Sequence, residues 1–151
     1  MEINPSKSLV LAVDWGTKRL GLAISDPTRT LARPLCVVEH ISRSEDASRI
    51  LAIVEENNVG LIVIGINYDD QPEPTYSGRS AMRLLKEIQG MTSIGLITWN
   101  ETGSTRAAIA SRLELGVVRK KRKGHHDALA AAFILQDFLD IGLINYENKK
   151  P

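Results

Sequence analysis

The chain has 151 residues, 43% of them hydrophobic and 25% charged, with a single cysteine, Cys36. Such a length and apolar content suit one domain spanning 1–151 with its core at about 8–143, and one cysteine excludes any disulfide within the chain. Neither a signal-peptide pattern nor an apolar run of about 18 residues is read from the sequence, so a soluble, cytoplasmic protein with no membrane partner is expected. The net charge of +1 selects no partner, but its distribution is uneven. Arg119, Lys120, Lys121, Arg122 and Lys123 are consecutive, and setting those five aside leaves the remainder at −4.

After a polar leader broken by Pro5, residues Val10 to Val13 are all apolar and run directly into Asp14. This reads as a buried strand, followed by a glycine turn carrying Thr17, Lys18 and Arg19 and a returning strand from Leu20. Asp26-Pro-Thr-Arg29 has turn chemistry, and Ala32 to Val38 makes a third strand, completing an antiparallel meander. Cys36 falls in that third apolar run and is expected to be a buried, inert thiol.

Ser42 and Glu45 have capping-box spacing, and Ala47, Ile50, Leu51 and Val54 then recur with helical period until Asn57-Asn58. Gly60 to Ile66 is short and β-branched, hence a fourth strand, and a strand reached through a helix pairs in parallel. Asn67 to Tyr76 is the longest loop candidate. A second helix is marked by Ala81, Leu84, Leu85 and Ile88, with Gly90 as its cap. Ser93 to Asn100 is a fifth strand that delivers Glu101, and a third helix capped by Thr102 carries Ala107, Ala110 and Leu113 and is closed by Gly116. The basic loop 117–124 precedes a last helix from Asp127, whose alanines and aliphatics on every side predict packing on more than one face. The tail after Ile144 is polar and expected to be loose.

Three acids therefore occupy comparable places: Asp14 and Glu101 at strand ends, and Asp127 in the first turn of a helix. A carboxylate inside an apolar strand is costly to bury alone, so Asp14 needs a compensating partner. A hydrated divalent cation would serve, and so would the turn amides of Gly16 and Thr17.

The pattern Asp-x-Gly-x-Lys-Arg-x-Gly-x-Ala-x-Ser-Asp at 14–26, then Glu-x-x-Ser-Thr from 101, then basic residues before Asp-Ala-x-Ala-Ala at 127, resembles the YqgF (RuvX) family. These are small RNase H-like proteins described as candidate pre-16S ribosomal RNA nucleases and earlier as candidate Holliday junction resolvases. The likeness runs from about residue 9 to residue 140. It implies an α/β, RNase H-like fold, a five-stranded mixed sheet in which an antiparallel meander of strands 1–3 is followed by parallel strands 4 and 5, flanked by helices. It also implies that Asp14, Glu101 and Asp127 are catalytic. The chain departs from the family where Asn100, Thr102 and Gly103 replace an Asp, an Arg and a Leu around the middle acid, and where Asn67-Tyr-Asp-Asp-Gln-Pro replaces a Leu-Pro beginning.

Three converging carboxylates repel one another, and hard cations relieve that repulsion. With oxygen ligands and no Cys or His set, Mg²⁺ or Mn²⁺ is expected over zinc, as a pair of ions activating water and stabilising the leaving oxygen of a phosphodiester. The activity the resemblance implies is metal-dependent cleavage of RNA, at the 5′ end of precursor 16S ribosomal RNA. The other readings are a binding module for nucleic acid or ribosomal particles without turnover, and a resolvase of branched DNA, which would need a homodimer where the nuclease could be a monomer. Lys18, Arg19 and the 119–123 run could hold phosphates. Trp15 and Trp99 flank the acids, and either could stack on a base or simply pack in the core. One of His125 and His126 could assist the chemistry; Asp26 and Asp69 read as turn residues.

Overall fold

The computed structural model describes residues 8–66, 76–100 and 126–148. Five strands, β1 (Leu9–Asp14), β2 (Arg19–Ser25), β3 (Ala32–Glu39), β4 (Val59–Ile66) and β5 (Gly95–Asn100), form one sheet in the order β3-β2-β1-β4-β5. β1–β2 and β2–β3 are antiparallel, whereas β1–β4 and β4–β5 are parallel, as the meander and crossover in the sequence predict. β1 is central, and Val10, Leu11, Ala12 and Val13 have no solvent exposure because helices cover both faces of the sheet.

The pleat divides those four residues between two cores. Leu11 and Val13 belong to a cluster with Ala47, Ile50 and Val54 of α1 (Arg43–Glu56) and Ala81, Leu84 and Ile88 of α2 (Tyr76–Gln89). Val10 and Ala12 belong to a cluster with Ala131, Ala132 and Leu135 of α3 (His126–Asp137) and with Phe138, Leu139 and Leu143 beyond it. Side chains two apart along β1 therefore share a face.

Local chemistry sets the ends. Ser42 caps α1 by accepting a hydrogen bond from the Glu45 amide (3.1 Å), and Asn58 closes it in the left-handed region with φ 54°. Gly90 does not take up the capping conformation expected of it; its amide donates to the Lys86 carbonyl (3.2 Å) as one more helical bond. Asp26 is the turn residue the sequence suggests, its Oδ1 accepting from the amides of Thr30 (2.8 Å) and Leu31 (2.9 Å) and its Oδ2 from the Thr28 hydroxyl. Cys36 is half-buried rather than buried, since β3 is an edge strand, and its partial burial still pushes the thiol pKa up.

Two further expectations need correction. Residues 145–148 are not loose: a π-helical turn at Phe138–Gly142 leads into α4 (Leu143–Asn148), where Tyr146 packs on the second core and Glu147 pairs with Arg29 (3.3 Å), and the rest of the expected tail lies outside the described residues. Ala128–Asn148 is also long and apolar enough to cross a membrane, with mean hydropathy 1.5, contrary to the reading that no such span exists. About half of it, 56%, is buried in the protein, with Ala131, Ala132, Leu135, Phe138, Leu139 and Leu143 in the second core and Ile141 and Ile144 left exposed. At Gly142 a Cβ would lie 2.5 Å from the Trp99 ring, so only glycine lets this helix seat against β5. The predicted third helix at 102–116, the basic loop 117–124 and most of the 67–76 loop lie outside the described residues.

Candidate active site

Asp14 is the last residue of β1, half-buried, and paired in register with Gly21 of β2. Alternation along the strand puts its side chain on the face of Val10 and Ala12, the face covered by α3. The turn that follows closes tightly: a Cβ on Gly16 would lie 2.4 Å from the Arg19 carbonyl oxygen, which explains the glycine there by close approach. Lys18 is exposed in this turn, and Arg19 is exposed as the first residue of β2.

Asp127 is the second residue of α3, and Glu101 directly follows Asn100, the end of β5. Glu101 itself, with Arg119, Lys120, Lys121, Arg122, Lys123, His125 and Asp69, lies outside the described residues. Among the described residues, no group of three His, Cys, Asp or Glu side chains is gathered to hold a metal. α3 is anchored at its far end. Gln136 Oε1 accepts from the Ala32 amide (2.9 Å) and its Nε2 donates to the Thr30 carbonyl (2.9 Å). Ala32 pairs with Ser25, whose Oγ accepts from the Val10 amide (2.9 Å) at the opposite end of β1 from Asp14. The rise from Gln136 back to Asp127 is about 14 Å, close to the roughly 13 Å that β1 spans from Val10 to Asp14.

The two tryptophans part company. Trp99 packs edge-on against Phe138 (5.6 Å between ring centroids) and donates its Nε1–H to Asp137 (2.8 Å), a core role. Trp15 points the other way from Asp14, into a cleft of about 210 Å³ between the first turns of α1 and α2. There it meets His40 (5.6 Å) and Tyr76 (6.4 Å) in edge-to-face contacts. His40 Nδ1 bonds Asp46, a carboxylate only 1% exposed that also accepts from the Ile41 amide and from Arg49 Nη2, each at 3.0 Å. The His40 amide in turn donates to the Lys18 carbonyl (2.9 Å), tying this cluster to the turn after Asp14. Sequence reasoning passed over His40, Arg43, Asp46 and Arg83. The available signal was weak: an acid in the first turn of a helix looks like an ordinary dipole partner.

A family model described as "RuvX: Holliday junction resolvase" matches residues 8–141. The chain is 39% identical over 136 residues to a protein of Staphylococcus haemolyticus named "Putative pre-16S rRNA nuclease", covering 87% of this chain and 94% of that one. It is 37% identical over 131 residues to a protein of the same name from Bartonella tribocorum, covering 87% and 84%. Among solved structures, RuvC from Thermus thermophilus superposes with a TM-score of 0.58 at 16% identity over 87% of this chain and 93% of that one. RuvC from T. thermophilus bound to a Holliday junction substrate gives 0.57 at 20% identity, covering 89% and 96%. The sheet order, the flanking helices and the sequence likeness agree, and the chain belongs to the RuvX (YqgF) family.

Proposed function

We propose that this chain is a metal-dependent nuclease that hydrolyses phosphodiester bonds in RNA, with the 5′ end of precursor 16S ribosomal RNA as its target, in the cytoplasm. The observation that carries the reading is Asp14 at the end of the central strand, on the face covered by the helix whose first turn contains Asp127. A helix anchored at Gln136 and running along β1 would bring Asp127 to the end of the sheet where Asp14 stands, and Glu101 follows the strand that ends there. The donor set is carboxylate oxygen throughout and Asp14 is only half-buried, which fits a hard, partly hydrated cation.

Asp14, Glu101 and Asp127 would hold Mg²⁺ or Mn²⁺, which supplies Lewis acidity for attack of water on the phosphodiester. Lys18 and Arg19 stand beside Asp14 on exposed positions and would meet the backbone phosphates of the strand being cut. The 119–123 cations would add a sequence-independent grip that weakens with salt. The names of the relatives, which specify a pre-16S rRNA nuclease, favour RNA. The family model's description favours a second reading, a four-way DNA junction, which requires two sites and hence a dimer.

The test is cleavage of precursor-like RNA and of a synthetic junction with Mg²⁺ or Mn²⁺, with and without chelator. RNA cut only with metal, and not by Asp14→Ala protein, is the expected result. Equal cleavage by Asp14→Ala protein would remove the proposed centre.

A further inference from the structure

The cleft on the α1/α2 face has no part in the acid chemistry, yet its lining is that of a ligand site. Arg43 and Arg83 bring two guanidinium groups to it. Among the described residues its one carboxylate, Asp46, is taken up by His40, Arg49 and the Ile41 amide, so these side chains leave the cleft a net positive charge. Tyr76 stands 62% exposed at its edge with Trp15 behind it, presenting aromatic surface beside those cations. Arginine and aromatic faces together suit a phosphate joined to a planar base. At about 210 Å³ the cleft is of the size of one base and its phosphate, with the sugar left at the opening, and is too small for a duplex. Through the His40–Lys18 bond the cleft is continuous with the turn that follows Asp14.

We propose that this cleft seats one nucleotide of a single-stranded segment of the substrate, with the base on Tyr76 and Trp15 and the phosphate on Arg43 and Arg83. The proposal deepens the nuclease reading, on which it rests for the word substrate; the site itself is testable without turnover. A strand held there lies beside the residue that follows Asp14, so the protein selects substrates with an unpaired flank next to the bond it cuts.

The chain has two tryptophans, so Trp99→Phe leaves Trp15 as the sole reporter. Short oligoadenylate is titrated into this protein in chelator, following Trp15 fluorescence, and in parallel into wild-type protein by anisotropy of a labelled strand. Saturable quenching is expected, with binding weakened about tenfold by Tyr76→Ala, restored by Tyr76→Phe, and weakened at least as much by the Arg43→Ala/Arg83→Ala pair. Unchanged affinity in those variants overturns the proposal, as does equal quenching by blunt duplex RNA. Adenosine monophosphate binding as tightly as the strand would also overturn it, by making the cleft a free-nucleotide site. Metal-stimulated cleavage is scored separately. Cleft binding without any cleavage removes the nuclease reading and keeps the site; cleavage indifferent to the cleft variants does the reverse.

Discussion

Asp14 and Trp15 are neighbours in the chain, but the pleat sends them to opposite faces of the sheet, and the two faces are built differently. The face of Asp14 is covered by α3, whose first turn contains Asp127 and which Gln136 fixes at its other end. The face of Trp15 gathers its polar groups from elements that touch one another: the β1–β2 turn, the end of β3, and the first turns of α1 and α2. A single step along a strand thus separates the carboxylate proposed for bond cleavage from the ring proposed for strand holding.

The largest expected effect breaks the first face alone. Asp14→Asn keeps the side-chain shape and removes the charge, so cleavage should fall on the order of 1000-fold while RNA binding in chelator and the urea midpoint stay near wild type. A fall in binding to match the fall in cleavage would show that the faces are not separable.

Next is the support of the second face. Asp46→Ala leaves Arg49 and His40 without their shared buried acceptor, which should cost about 3 kcal/mol in urea unfolding. In the folded fraction, binding of single strands should weaken. A loss within about 0.5 kcal/mol, the range of surface substitutions, would mean that the pairing does not order the cleft.

The contrast between the faces also explains what the sequence discloses. β1 and Asp14 were legible because four apolar residues running into a carboxylate have few structural readings, and the sheet order followed from a meander and a crossover. The cleft was not legible, because His40 ends a strand, Asp46 opens a helix and Tyr76 closed the loop candidate, each ordinary where it stands. Only the packing shows that Asp46 is buried and that the rings meet. The tail was misread for a related reason. Residues after Ile144 look polar, and nothing local shows that Gly95 leaves room for Tyr146, whose Oη would lie 2.8 Å from a Cβ at that glycine.

A smaller effect tests the helix that roofs the first face. Gly142→Ala would drive a methyl group into Trp99 and Phe138, both under 3 Å away, and should cost about 1–3 kcal/mol in thermal or urea unfolding. Because the strain enters at the C-terminal end of that helix, far from its first turn, the cleavage rate of the folded protein should change less than stability does. A larger loss of rate than of stability would show that the position of the roof governs the acids.

The smallest effect lies at neither face, in the turn joining β2 to β3. Burial of Asp26 acts to raise its pKa, but hydrogen bonds from the Leu31 amide, the Thr28 hydroxyl and the Thr30 amide outweigh it, and the carboxyl titrates below its ordinary value of 3.8. A depressed folded pKa favours the native state above the unfolded value, and that contribution disappears as the pH falls through the folded one. Asp26→Asn should therefore lower the urea midpoint slightly at neutral pH and leave a shallower decline below pH 3.8 than the wild type shows. Parallel acid limbs for the two proteins would mean that the turn amides bind the neutral side chain as well as the charged one. The turn would then contribute geometry, through Arg29 held in the left-handed region at φ 58° and its bonds to Ser8, rather than charge.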